Sequence, residues 1–593
     1  MKRIILIAVV IPLIMTRCTT KKETTENTPV TLDSLLHQYY EERLKLFPLE
    51  ATMTGDDRYN DLLPNDMTFE YRKKVTDFFI HYRDTLVKIE RSRLSENDQM
   101  SYDVLLWDCD IAIEGSKFKD YFLPLNQMGS MALFIGQDAG GTSVQPFKTV
   151  KDYDNWLSRL DSYTVWCDSA IVNMKNGMNH GYILPTKLIE KVIPQISAFD
   201  HGPAKDHLFY SPIKNIPLDF SSSDRDRLAK AYEDIIQSKI IPAHKKLREF
   251  LETEYLAGGR TTSGIDAIPE GRKYYDYLIK MHTTTTKSAD EIFSLGQSEV
   301  NRISKEMEAI KDQVGFKGDL KSFFNHLRKK KELMPFKKPE EVIANFNAIH
   351  EKMKPNLIKL FDKKPKTPFE VRRTEAFREA TASAEYSSGS HDGTRPGVFY
   401  VPIPNVLEYN MLSDEDLFLH EAIPGHHYQI SLQQENTTLP EFRKIPNYGS
   451  YVEGWALYTE SLGKELGLYD DPYQYFGMLS GEMHRAIRLV VDAGIHTQGW
   501  TREQAIQYSL DHEAETEQSI VAEIERYMAI PGQALSYKIG QLKIRELRTK
   551  AEKELGDKFD IAQFHNQVLD SGSIPLKILE DKINRWIETV KKS

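Results

Sequence analysis

The chain has 593 residues, 40% hydrophobic and 28% charged, with a formal net charge of −10 and a pI near 6.0. That length and apolar content allow a large buried core and several structural units, and exclude a disordered chain. The acidic balance argues against nucleic acid or an anionic membrane surface as the main partner, because both reward clustered Lys and Arg.

Lys2 and Arg3 precede the apolar run of residues 4–15, which is too short and too broken by proline to span a bilayer and reads as a secretory signal. Cys18 follows where a lipoprotein peptidase would cut and where a thiol would receive lipid, although Arg17 stands in place of the usual small residue. Residues 1–18 are therefore expected to be a lipoprotein signal peptide with lipidated Cys18, and residues 19–30 a polar tether. The expected location is the bacterial cell envelope, with the protein lipid-anchored at the periplasmic or outer surface. Cys109 and Cys167 lie in no metal or redox motif, which favours buried inert thiols; an oxidising compartment also permits one disulfide.

From residue 31 onward most of the sequence reads as helix. Residues 31–47 carry apolar positions at three-four spacing behind Thr31, residues 150–177 do the same and stop at Gly177, and Ser288 caps a third such run. Residues 367–405 break the rhythm with turn residues and end in the alternating "GVFYVPI", which predicts short strands just before a histidine segment. A strand beside a metal helix commonly offers its edge to an extended substrate. Helices return at 448–467, at 477–494, behind Thr501 with Gln504 three residues on, and at 532–556.

The segment "LHEAIPGHHYQ", residues 419–429, holds the chemistry. A hydrolytic zinc site needs about three protein ligands, a position left for water, and a carboxylate to take that water's proton. His420, Glu421, His426 and His427 supply histidines and carboxylate, but Pro424 sits where the second histidine of H-E-x-x-H should fall. On a continuous helix the residue six along lies about 240° around, and the residue seven along sits about 10.5 Å up the axis. Pro424 lacks the N–H that would bond the His420 carbonyl, so the helix must kink or bulge there. With Gly425 beside it, two residues can loop out and bring His426 into the usual ligand place, leaving His427 as the alternative.

Glu453 lies 33 residues after His420 on a predicted helix, far enough for the chain to turn back antiparallel, and is the expected third ligand. Gly454 beside it permits close helix approach, and Glu460 falls on the same face, where it can orient a histidine. Tyr537 is the best candidate donor to a peptide oxyanion, with Tyr527 behind it. His484 and His496 are further possible donors, while Arg485 and Arg488 read equally well as ion-paired structural residues.

Five motifs in one order, "TRPGVFYVPIPN", "HEAIPGHHYQ", "YVEGWALYTE", "RAIRLVVDAGIHTQGWTREQAI" and "RYMAIPGQALSYKIG", closely resemble the bacterial domain-of-unknown-function 885 family, from about residue 31 to the C-terminus. That family is similar to the helical gluzincin metallopeptidases, whose zinc is held by two histidines and a later glutamate. The resemblance implies His420, His426 and Glu453 as ligands of one Zn2+, Glu421 as general base and Tyr537 as the residue that steadies the tetrahedral intermediate. The expected fold is mainly α, a large helical zincin-like metallopeptidase domain over residues 31–593. Its small β-sheet would lie beside the metal helix, with a deep cleft and the active-site half at about 367–545. The expected function is zinc-dependent hydrolysis of short peptides. Two rivals share the motifs: a non-peptide amide hydrolase using the same site, and a metal-free peptide-binding lipoprotein.

Overall fold

The structure, a computed structural model, describes residues 31–593 apart from 142, 377, 380–381, 391–394 and 446–447. The signal, Cys18 and the tether lie outside the described residues. The architecture is mainly α with one small mixed sheet. The N-terminal helices expected from periodicity are α1 (Leu32–Leu46), capped by Thr31, and α2 (Val150–Asn179), which starts with a capping box between Thr149 and Asp152. They are followed by α3 (Ala289–Gln313), behind Ser288 and its Glu291 partner, and α4 (Pro339–Leu360).

The sheet holds three strands: β1 (Phe369–Arg373), β2 (Glu385–Ser387) and β3 (Gly397–Val401). Their order is β1-β3-β2, with β3 parallel to β1 in the register Phe369 to Gly397 and antiparallel to β2 in the register Ser387 to Val398. The apolar "GVFYV" run is thus the central strand, as its nearly complete burial requires. This corrects the expectation of a free edge there: β3 is paired on both sides over Val398–Tyr400, and the open edges belong to β1 and β2.

Beyond the sheet come α5 (Asp414–Glu421), α6 (His426–Glu435), α7 (Gly449–Glu460) and α8 (Pro472–Thr497). The chain continues through α9 (Arg502–His512), α10 (Glu517–Ala529) and α11 (Leu535–Leu555). The main hydrophobic core runs from α1 through α3 and α4 into this group, and a second core is built around α2 from residues between Leu63 and Tyr255. Cys109 and Cys167 are both buried free thiols, so the disulfide does not form. No described helix is long and apolar enough to cross a membrane.

A cavity of about 1010 Å3 opens among Phe69, Tyr121, Trp166, Tyr274 and Tyr277, with the segment Met528–Pro531 and Gln533 as one wall. None of the metal-ligating candidates lines it, so it is a separate space from the histidine segment.

Two glycines set the distance between α7 and α11. A Cβ added at Gly454 would lie 2.5 Å from the Gly540 Cα, and one added at Gly540 would lie 1.8 Å from the Ser450 carbonyl oxygen. Backbone meets backbone here, so no side chain can turn aside to make room. Gly540→Ala is expected to destabilise the protein by about 1–3 kcal/mol, although alanine is the better helix former. Chemical unfolding reads the difference, and an unchanged midpoint would mean the two helices part without cost.

Candidate metal centre

The histidine segment is a broken helix, which sharpens the expected kink. The amide of Ala422 makes the last regular bond of α5, to the Phe418 carbonyl at 2.9 Å, and α6 begins afresh at His426. Residues 422–425 form a tight turn that includes the cis Ile423–Pro424 bond. Gly425 has no positive φ; it is required by space, because a Cβ there would lie 1.9 Å from the His420 carbonyl oxygen and 2.3 Å from that of Leu419. Helix α7 grips the turn from outside. Trp455 Nε1 donates to the Pro424 carbonyl at 2.9 Å, and the Thr459 hydroxyl donates to the Leu419 carbonyl at 2.9 Å.

This arrangement brings His420, His426 and Glu453 together, with one potential ligand atom from each lying within 4.8 Å of the others. Glu453 Oε2 is 3.5 Å from His420 Nε2 and 3.6 Å from His426 Nε2, and the two imidazole rings stand nearly perpendicular. A tetrahedral ion with ligands at about 2.0–2.1 Å separates its ligand atoms by roughly 3.3 Å. Glu453 Oε2 is buried and makes no hydrogen bond among the described residues. An orphaned carboxylate oxygen facing two imidazole nitrogens at this spacing fits a metal ion. Burial pushes the Glu453 carboxyl upward, but its interactions with both histidines outweigh that and hold it well below the usual carboxylate range.

Behind this group, His420 Nδ1 donates to Glu460 Oε1 at 2.7 Å, a contact through which Glu460 would orient the ring. Sequence reasoning missed Asp416, which sits behind Glu460. Burial, then the Glu460 charge, push the Asp416 carboxyl well above its ordinary value. The Tyr469 hydroxyl donates to the Glu460 carbonyl at 3.0 Å and closes the group. Only the sequence position of Asp416, on the same helical face as His420 four residues on, hinted at this partnership.

His427 faces the other way. The Tyr386 hydroxyl of β2 lies 3.0 Å from its Nδ1, the Phe369 ring of β1 packs against it, and burial pushes it down to about 4. The choice between His426 and His427 thus falls on His426, because consecutive residues at the start of α6 point to different sides. Glu421 is 9% exposed and makes no hydrogen bond among the described residues. Burial raises its carboxyl, against the pull of His420 and His426.

Tyr537 is half-buried near the start of α11, one turn before Gly540, and its ring lies 4.6 Å from the Arg488 guanidinium. Tyr527 is buried and donates to Glu523 Oε2 at 2.7 Å. His484 Nδ1 donates to Glu513 Oε2 at 2.6 Å. Burial and Arg488 push His484 down, yet Glu513 and Glu523 leave it raised. These residues form a polar cluster on α8, α10 and α11. His496 does not join it. Its Nδ1 accepts from the Ile265 amide at 2.9 Å, its Nε2 donates to the Tyr527 carbonyl at 3.0 Å, and it is fully buried. Both nitrogens are engaged and burial holds the ring down at about 3, so neither is left for a substrate.

The family model described as "Bacterial protein of unknown function (DUF885)" matches residues 48–583. A solved lipoprotein candidate from Colwellia psychrerythraea is similar at 28% identity, covering 94% of this chain and 99% of its own, with a TM-score of 0.85. A second, of unknown function from Shewanella oneidensis, shares the fold at 19% identity, covering 93% of this chain and 99% of its own, with a TM-score of 0.75. No curated protein matches the chain. With its helical sequence motifs, its His-His-Glu group and a family match over most of its length, the chain belongs to the bacterial DUF885 family.

Proposed function

We propose that the protein is a zinc-dependent peptidase that hydrolyses short peptides in the bacterial cell envelope, built on a helical zincin-like plan. The observation that carries this reading is the His420, His426 and Glu453 group with the unpartnered Glu421 carboxyl beside it. Two imidazoles and one carboxylate, with a position left open, are a hydrolytic zinc donor set. A zinc ion held by these three side chains would supply Lewis-acid polarisation of the scissile carbonyl and of a water.

The chain's own residues do the remainder. Glu421 takes the proton of the attacking water on a carboxylate oxygen and passes it to the nitrogen of the departing amine. The Tyr537 hydroxyl donates to the oxygen that gains charge as the carbonyl is attacked. Glu460 fixes the His420 ring through Nδ1, so that Nε2 faces the metal position. Attachment through lipid on Cys18 is supported by the signal-like N-terminus and by the description of the Colwellia relative as a lipoprotein candidate.

Metal analysis of purified protein tests the ligand set: we expect about one zinc per chain, kept by His427→Ala and lost from His420→Ala, His426→Ala and Glu453→Ala. No zinc at neutral pH with zinc supplied would remove the mechanism. Glu460→Ala should weaken zinc binding by roughly 10–100-fold in competition with a chelator; wild-type affinity would make Glu460 a structural acid only. Glu421→Gln should keep its zinc and lose roughly 10²–10⁴-fold in turnover on a panel of di- to decapeptides. Retained turnover would take the base role from Glu421.

A further inference from the structure

Arg485 and Arg488 lie about one turn apart on α8 and project from one side of it. Arg488 is 6% exposed and its charge is balanced. Its Nη2 donates to Glu523 Oε2 at 3.0 Å and lies 3.2 Å from His484 Nε2, while Nε donates to the Tyr527 hydroxyl at 3.2 Å. Its Nη1 is nevertheless buried with no hydrogen-bond partner among the described residues. Arg485 is less satisfied still. Its one hydrogen bond runs from Nη1 to the Gly481 carbonyl of its own helix, at 3.2 Å, and it makes no ion pair among the described residues. Its Nε is buried and also lacks a partner. A guanidinium with unfilled donors in a shielded place is costly unless something else fills them.

The surroundings say what that is. A Cβ added at Gly481 would lie 2.9 Å from Asp416 Oδ2 and 3.4 Å from Arg485 Nη1, which puts Arg485 beside α5, the helix that carries His420 and Glu421, and Arg488 lies against Tyr537. Among the described residues Arg488, Arg526 and His484 find their ion-pairing carboxylates in Glu513 and Glu523, and Arg485 uses neither.

We propose that Arg485, with the free Nη1 of Arg488, forms an anion subsite that takes the C-terminal α-carboxylate of the peptide. This rests on the peptidase reading above and deepens it, because a carboxylate held beside α5 and the Tyr537 ring would direct cleavage to the C-terminal end. A guanidinium presents a planar fork that matches a carboxylate. A substrate ammonium would be repelled at the same place, which argues against trimming from the N-terminus. An internal stretch of a longer chain would bring no charge to fill the donors.

The test uses zinc-loaded full-length protein and two probes, N-acetylated Ala-Ala-Phe-Ala with a free C-terminal acid and the same peptide as its C-terminal amide. The acid should be preferred by about tenfold or more in kcat/KM, mainly through KM, as a charge-assisted contact implies. Arg485→Gln should bring the ratio to within about twofold and Arg485→Lys should restore part of it, since lysine keeps the charge and loses the fork. Arg485 has no ion pair to break, and zinc content and melting temperature confirm that the variant is folded. Arg488→Gln, checked the same way, should also narrow the ratio. Calorimetric binding of both probes to zinc-loaded Glu421→Gln protein reads the subsite without turnover. If the amide is cut as well as the acid, or Arg485→Gln leaves the ratio unchanged, the subsite falls and the peptidase reading stands. If neither probe is cut while the acid still binds more tightly, the subsite stands and the peptidase reading falls. If neither is cut or bound, both fall.

Discussion

The carbonyl of His420 has no amide to bond at position 424, and the metal centre follows from how that deficit is resolved. A continuous helix would place His426 on the far side from His420. Ending α5 at Glu421 and starting α6 at His426 lets the two imidazoles meet at a ring separation of 4.8 Å. Such a turn inside a packed core needs outside partners for its backbone, since buried carbonyls without a donor are costly. Helix α7 supplies them through Trp455 and Thr459, while Glu453 and Glu460 of the same helix reach the metal position and the back of His420. One twelve-residue helix therefore holds the turn, brings Glu453 to the two imidazoles and bonds His420 through Glu460. The glycine contact with α11 then ties this helix to the element that carries Tyr537.

The charges in this region also need a common explanation. Asp416, Glu421, Glu453 and Glu460 are gathered around two imidazoles, with Arg485 the nearest guanidinium. Carboxylates are not buried in such numbers without compensation. Part of it is local: burial and the Glu460 charge push the Asp416 carboxyl up, and the two histidines lie against Glu453 and Glu460. A divalent cation at the His-His-Glu position would complete it, because it would remove the need for the histidines to carry positive charge. A metal-free peptide binder would leave this excess unanswered, which weighs against that rival.

Much of the centre was legible in the sequence because its chemistry is local. Histidines and a glutamate within eight residues, a proline at a known helical offset and a later Glu-Gly pair on a helix each carry a short-range physical meaning. The capped helices at Thr31, Thr149, Ser288 and Thr501 were legible for the same reason. What escaped depends on distant contacts. The "GVFYV" strand could not announce that it sits between two others, since full burial and edge pairing leave the same apolar run. His427 reads like His426 until β2 provides Tyr386. His496 looks like a free donor until the Ile265 and Tyr527 backbones, 231 and 31 residues away, occupy both nitrogens. Arg485 and Arg488 look equivalent until α10 supplies Glu523 to one and not the other.

Under the proposed reading that last asymmetry would give helix α8 a role in reactivity as well as packing. It lies against α5, which carries His420 and Glu421, and against α11, which carries Tyr537. A group held by α8 between them is fixed relative to Glu421, the His-His-Glu group and Tyr537 by three helices whose contacts are mostly buried. Reaction geometry in such sites tolerates errors of only about half an ångström, and a loop would hold a substrate less closely than packed helices do. Arg488 is locked by Glu523, Tyr527 and His484, so its free edge is fixed in advance of any ligand. Arg485 is held only at Nη1, by its own helix, and keeps the freedom to close onto an anion. One rigid and one adaptable guanidinium on the same turn divide the work between orientation and capture, and the fold places both within reach of the residues that would cut the bond.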